Sequence, residues 1–196
     1  MGFDLQPFIE NISSYGVVQS SKYDVNITMP PLLQSQATDT QFSFINTFTD
    51  IIPFRAISCS TPGAAFLMNE SNKWGVGPRI KQPYNVGFAD VRITFLADQE
   101  AVIESFCGLW MNMVYNYTYS PQSQGTFLTN YRKGTTGIAS PTVNIVKYDK
   151  TGAPVSTYIL VDVLPTLFVP SPLDWNATDD LAKYTLGLNY TSYDIQ

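Results

Sequence analysis

Four aspartates in the C-terminal part of the chain, Asp162, Asp174, Asp179 and Asp180, come closest by type and spacing to a reaction centre. Two carboxylates flanking a glycosidic bond can hydrolyse it, and Trp175 could stack on a sugar ring beside them. Their setting argues against it. Asp179 and Asp180 lie in "NATDDLAKY", where Asn, Thr and Asp are ordinary formers of turns and caps. No stretch has the alternating oxygen ligands, central Gly and late Glu of a calcium loop. "WGVGP" (74–78) lacks the strand–turn–helix setting of a phosphate-binding glycine loop, and "RKGTTGIAS" (132–140) lacks the closing Gly-Lys-Ser/Thr order. Histidine is absent, which removes Ser-His and Cys-His catalysis and the usual near-neutral proton shuttle. Cys59 and Cys107, the two cysteines, read as packed, reduced thiols. No catalytic residue, cofactor site or metal site is expected, and the chain reads as a non-enzyme.

The composition of the whole chain points to packing between molecules instead. Hydrophobic residues make up 44% and aromatics 14%, enough for a real core in 196 residues. Charged residues are only 14%, well under the roughly 25% usual in soluble domains. Charge keeps a wetted surface soluble and apart, so its scarcity points to an outside covered by other subunits. A net charge of −5 without a basic run gives no footprint for gripping phosphates. No apolar stretch nears the roughly 20 residues of a membrane span. The start lacks a basic region followed by an apolar run, and Gln6 stands where myristoylation needs Ser or Thr, so neither a secretory signal nor a lipid anchor is expected.

The elements that would position any site are mainly strands. "KYDVNITM" sets Tyr23, Val25, Ile27 and Met29 against Lys22, Asp24, Asn26 and Thr28. "ADVRITFLA" sets Val91, Ile93 and Phe95 against Asp90, Arg92 and Thr94. "AKYTLGLNYTSY" sets Tyr184, Leu186, Leu188 and Tyr190 against Lys183, Thr185, Gly187, Asn189 and Thr191. Residues 142–163 read as two strands about a turn at Asp149–Gly152. One helix is expected from "DQEAVIESFCGLWMNMVY", with Asp98 as N-cap, Glu100 in its first turn, and an apolar face of Ile103, Phe106, Trp110 and Met113. The expected fold is therefore mainly β, an antiparallel barrel or sandwich with one packed helix and long loops. It forms a single domain over 1–196, with insertions at about 30–52 and 118–141. Residues 68–84 read as a long loop able to form an extended hairpin.

Between two strand-like runs, "VLPTLFVPSPLDW" (163–175) reads as a structural elbow. Pro165, Pro170 and Pro172 would stiffen it and stop strand pairing, while Leu173 and Trp175 anchor it beneath the barrel.

Read in order, "ISCSTPG", "GPRIKQPY", "FADVRITFLAD", "FCGLWMNMV", "VDVLPTLFVPSPLDW" and "DDLAKYTLGLNYTSY" resemble the tail tube proteins of contractile-tailed bacteriophages, over roughly residues 53–193. "YRKGTTGIASP" replaces the tyrosine- and aspartate-rich segment that family carries before the hairpin. That leaves open whether this is the main tube subunit or a tube-initiating baseplate or tail-terminus relative. The resemblance implies hexameric rings, joined edge to edge and stacked into an inner tube. It further implies sheath and baseplate partners, a place in the virion tail after assembly in the host cytoplasm, and a bore through which DNA passes without specific binding.

On that reading, Asp90, Arg92, Thr94, Lys183, Thr185, Asn189 and Thr191 would face the lumen. An arm carrying Lys73, Trp74, Arg79 and Lys81 would reach the next ring, its bases meeting acidic partners. Two other classes stay in view: a glycan-binding β-sandwich module using Trp74 or Trp175, and a histidine-free glycosidase using paired aspartates.

Overall fold

The alternating runs do fold as strands, and their alternation decides which sheet face meets the core. In a computed structural model of the chain, residues 16, 18–28, 48, 51–53, 55–71, 75, 79–114, 141–171 and 181–196 are described. The elements are β1 (Tyr23–Ile27), β2 (Ala56–Cys59), β3 (Ala64–Ser71), β4 (Ile80–Phe88), β5 (Val91–Leu96), α1 (Val102–Val114), β6 (Val143–Tyr148), β7 (Pro154–Val161), β8 (Leu164–Pro170), β9 (Lys183–Asn189) and β10 (Ser192–Ile195). A first sheet has the order β1-β6-β7-β10, a second β2-β5-β9-β8, and β3 pairs with β4 in a two-stranded ribbon. Each pairing is antiparallel. Among the described residues no ladder joins the first sheet to the second. Of the two forms left open by the sequence, the fold is the sandwich, mainly β with a packed helix.

One core lies between the sheets. The first contributes Val25, Ile27, Val143, Ile145 and Leu160; the second contributes Val91, Ile93, Phe95, Leu186 and Leu188. A fully buried side chain of this kind contributes about 1.5–3 kcal/mol relative to exposure. A slip of one residue would turn all of β5's apolar set outward, so the alternation fixes the register. Helix α1 closes the core with Ile103, Phe106 and Trp110, all fully buried, and Phe106 stacks on Phe48. The Met113 and Met29 side chains lie outside the described residues.

The helix begins later than the sequence implies. Asp98 is its cap, taking the Val102 N–H at 2.6 Å and the Ile103 N–H at 3.3 Å, but a turn of residues 99–100 intervenes. Glu100 therefore stands before the helix, and Glu104 is the acid of its first turn. The β6–β7 hairpin turns where expected, at Asp149–Gly152. Gly152 has φ +88, and the Asp149 carboxylate takes the Thr151 N–H and, at 2.6 Å, its hydroxyl.

One further expectation is corrected. Residues 164–170 are not an elbow that ends pairing: they form β8 and pair with β9 from Leu164↔Asn189 to Pro170↔Tyr184. Residues 68–84 take up the extended hairpin that the sequence allows, β3 and β4 pairing there from Met68↔Pro83 to Ser71↔Ile80. Most of the expected insertion at 30–52 lies outside the described residues, as does 118–140 of the second. Phe48 and Ile52, at the end of the first, are core residues.

Candidate functional site: an exposed arm and a polar sheet face

The β3–β4 ribbon is the distal half of one long hairpin. Ser60 donates its N–H to Arg92 O at 2.9 Å, and Ala89 donates to Gly63 O at 3.0 Å, so the β2–β5 ladder of the second sheet runs on into β3–β4. Past that root the ribbon leaves the body: every residue of β3 is exposed, and Phe66 and Tyr84 expose about two thirds of their surface, 66% and 67%. Tyr84 is the extra residue of a bulge opposite Leu67/Met68, which adds local twist.

Near its tip the arm neutralises part of its own charge. Glu70 accepts from Arg79 at 3.0 Å and lies 3.1 Å from Lys81, its partner across the ladder. These hydrogen bonds, Arg79's first and Lys81's second, hold the Glu70 carboxyl below its ordinary pKa. Both bases, expected to await acidic partners, thus already share one acid. Lys73 and Trp74 lie outside the described residues.

At the root, three rings meet from three sheets. Phe88 of β4 lies 5.6 Å from Tyr190, which follows β9, and 5.9 Å from Tyr193 of β10; the two tyrosines are 6.0 Å apart, nearly edge to face. Such pairs contribute about 0.5–1.5 kcal/mol beyond area burial. Tyr190 also donates its hydroxyl to Gly63 O at 3.4 Å. Sequence reasoning saw Tyr190 only as a core-facing strand residue and missed the cluster. Its signal was two tyrosines three apart, distant in sequence from Phe88.

The expected polar face is assembled in space. Arg92 pairs with Gly187, and Thr94 with Thr185, whose hydroxyls lie 3.4 Å apart. Asn189 donates to the Asp90 carboxylate at 2.9 Å, and Lys183 lies opposite Leu96. Asp90, Arg92, Thr94, Lys183, Thr185 and Asn189 thus share the outer face of the second sheet. Thr191 does not join them. It lies in the turn before β10, and its N–H donates to Val161 O in the first sheet.

Strand β8 borders this sheet. Ser171 donates its N–H to Lys183 O at 2.9 Å, so the preceding position, Pro170, points to the open margin, where a proline has no N–H to offer. Pro165 pairs with Leu188 beside a bulge. Pro172, Leu173 and Trp175 lie outside the described residues, as do Asp174, Asp179 and Asp180. Asp162, the described member of the aspartate set, occupies the β7–β8 turn at φ +56, a conformation Asp tolerates.

A groove of about 360 Å³ opens between β1, β2 and β6, lined in part by Tyr23, Cys59, Ile145 and Lys147. It holds no activated group. Burial pushes the Cys59 thiol up to about 12 despite the pull of Lys147, and Lys147 itself bonds the Tyr158 hydroxyl at 3.3 Å. Among the described residues, no three His, Cys, Asp or Glu side chains are grouped to hold a metal, and no helix is long and apolar enough to cross a membrane.

The family model described as "Phage tail tube protein" matches residues 18–196. The chain belongs to the phage tail tube protein family. Its role is structural, as a component of a tail tube. The tail tube chain is also similar in fold to solved structures. A protein of the anti-feeding prophage baseplate matches at TM-score 0.61 and 12% identity, covering 93% of this chain and 97% of that one. One from the tube-terminating cap of the same prophage matches at 0.58 and 11%, covering 92% and 91%. One from the extended sheath–tube complex of an extracellular contractile injection system, PVC, matches at 0.54 and 12%, covering 95% and 96%. At such identities the likeness shows the fold alone. No curated protein matches the chain.

Proposed function

We propose that copies of this tail tube chain close into hexameric rings, that the rings stack into the inner tube of a contractile tail, and that DNA leaves through its bore. The observation that carries the reading is, among the described residues, the pair of sheets with unpaired margins, β1 and β10 on one, β2 and β8 on the other, beside an arm whose strand β3 is exposed throughout. Open strand edges are a liability to a solitary protein and connectors in a ring. The polar face of β5 and β9 supports a water-filled lumen: one acid and two bases per copy, among threonines and Asn189, give phosphates little to hold. The arm reaches the adjoining ring. A sheath and a baseplate are the expected partners, within a virion or tail particle assembled in the host cytoplasm; residues 1–196 act as one domain without catalysis.

The test is direct. Concentrated protein viewed by size-exclusion chromatography and negative-stain microscopy should form sixfold rings or tubes, and deletion of residues 70–80 should leave a folded monomer that no longer polymerises. A chain that stays solitary at high concentration overturns the reading. A second reading, a ring that starts or ends the tube, is favoured by fold likeness to proteins in baseplate and cap assemblies. Copy number per particle separates them: one ring for an initiator or terminator, many for the tube itself.

A further inference from the structure

We infer that the arm is gripped on both of its faces, by two other copies of this chain, rather than laid on a single surface; the inference rests on the assembly reading above. Along β3, side chains alternate between the ribbon's two faces. Phe66, opposite Val86, and Met68 occupy one face and are 66%, 38% and 50% exposed. Leu67 and Ile80, the latter opposite Ser71, occupy the other and are 43% and 44% exposed. An isolated two-stranded hairpin is marginal in water, and contiguous exposed apolar surface marks an interface. A ribbon bound on one side would leave either Phe66 and Met68 or Leu67 and Ile80 wet.

The charge of the chain indicates what covers these faces. Residues 64–88 carry Lys73, Arg79 and Lys81 against Glu70, a net +2, so the rest of a −5 chain carries −7. The body of another copy therefore attracts the arm, whereas a second arm repels it. The two faces point in opposite directions and an apposed sheet packs about 10 Å away on each side. Two bodies, one on each side, supply these surfaces. Each arm then ties together three copies, its own and two receivers.

The test compares the faces separately. Phe66→Thr with Met68→Thr alters one face, and Leu67→Thr with Ile80→Thr the other; threonine suits a strand. In the unassembled chain both double variants should keep Tm within about 2 °C of the parent. Each should raise the threshold concentration for polymerisation, read by sedimentation and light scattering, at least about tenfold. A face whose variant polymerises at the parent threshold is not gripped, and the inference falls while the assembly reading stands. A Tm fall of several degrees in the monomer means the chain's own segments cover that face, which also overturns it. Normal tubes after deletion of residues 70–80 would remove the assembly role of the arm altogether.

Discussion

At the scale of single residues, the tightest constraint is Gly187. It pairs with Arg92 on one side and Leu167 on the other, and a Cβ there would meet Leu167 Cβ at 2.9 Å and Thr166 Oγ1 at 3.4 Å. The obstructing atom is a Cβ, which cannot swing aside as a side-chain tip can. Gly187→Ala should therefore act as overpacking, costing about 1–3 kcal/mol, seen as a lower Tm in calorimetry; an unchanged Tm would mean β8 shifts freely. The cysteines are a second residue-scale case. Both are free, and burial pushes each thiol up to about 12. Because the thiolate is the nucleophile, the native chain at pH 8 should react with a maleimide far more slowly than the unfolded chain, in which both thiols label promptly. Fast labelling of Cys107 in the native chain would show that the α1 core opens.

At the scale of elements, the arm's inclination depends on its aromatic root. Phe88, Tyr190 and Tyr193 bridge the ribbon, the second sheet and the last strand of the first, and the Tyr190 hydroxyl adds its bond to Gly63 O at the ribbon's start. Tyr193→Ala should leave the sandwich folded but loosen the arm. Spin labels at Asn69→Cys and Lys150→Cys, in a Cys59→Ser background, should then give a broadened distance distribution, and Tyr193→Phe should restore it. An equally narrow distribution for the alanine variant would assign the ring a packing role only. The elements themselves were legible in proportion to how strictly one face of each is buried. Strands β1, β5 and β9 showed as alternation because half their side chains meet the core. The arm showed only as a segment able to form a hairpin, without its strand bounds, because both its faces lie in the open and its pattern has no period of two. β8 was hidden by its prolines, which suggest a break in the middle of a sheet; among the described residues it pairs on one side alone, and Pro170 falls where no N–H is used. The polar face of the second sheet was readable strand by strand. Thr191 was misplaced because the chain turns at Tyr190 and ends the alternation that had carried Lys183, Thr185 and Asn189 together.

At the scale of the whole molecule, which sheet turns inward decides what the bore presents to its cargo. The second sheet offers Arg92, Lys183 and Asp90 among hydroxyls and an amide, whereas the outer face of the first carries Asp24 and Asn26 on β1 and Asn144 on β6, with Lys22 just before β1; of these Asn26 is exposed, and Asp24 and Asn144 each have a buried side-chain oxygen. DNA held by several phosphate contacts would be bound more tightly at each added contact. An acidic wall would instead repel it along the whole length. A sparse, mixed wall lies between these limits, and the second sheet is the one that supplies it. Arg92→Cys and Asn26→Cys, each in a Cys59→Ser background, read this directly, since both positions are exposed in the single chain. Unassembled, both thiols should take a bulky polymer-linked maleimide. In assembled tubes, Arg92→Cys should resist the bulky reagent yet still accept a small one entering from the ends, while Asn26→Cys stays open to both. The opposite pattern would place the first sheet at the lumen and make its amide-bearing face the surface past which DNA moves.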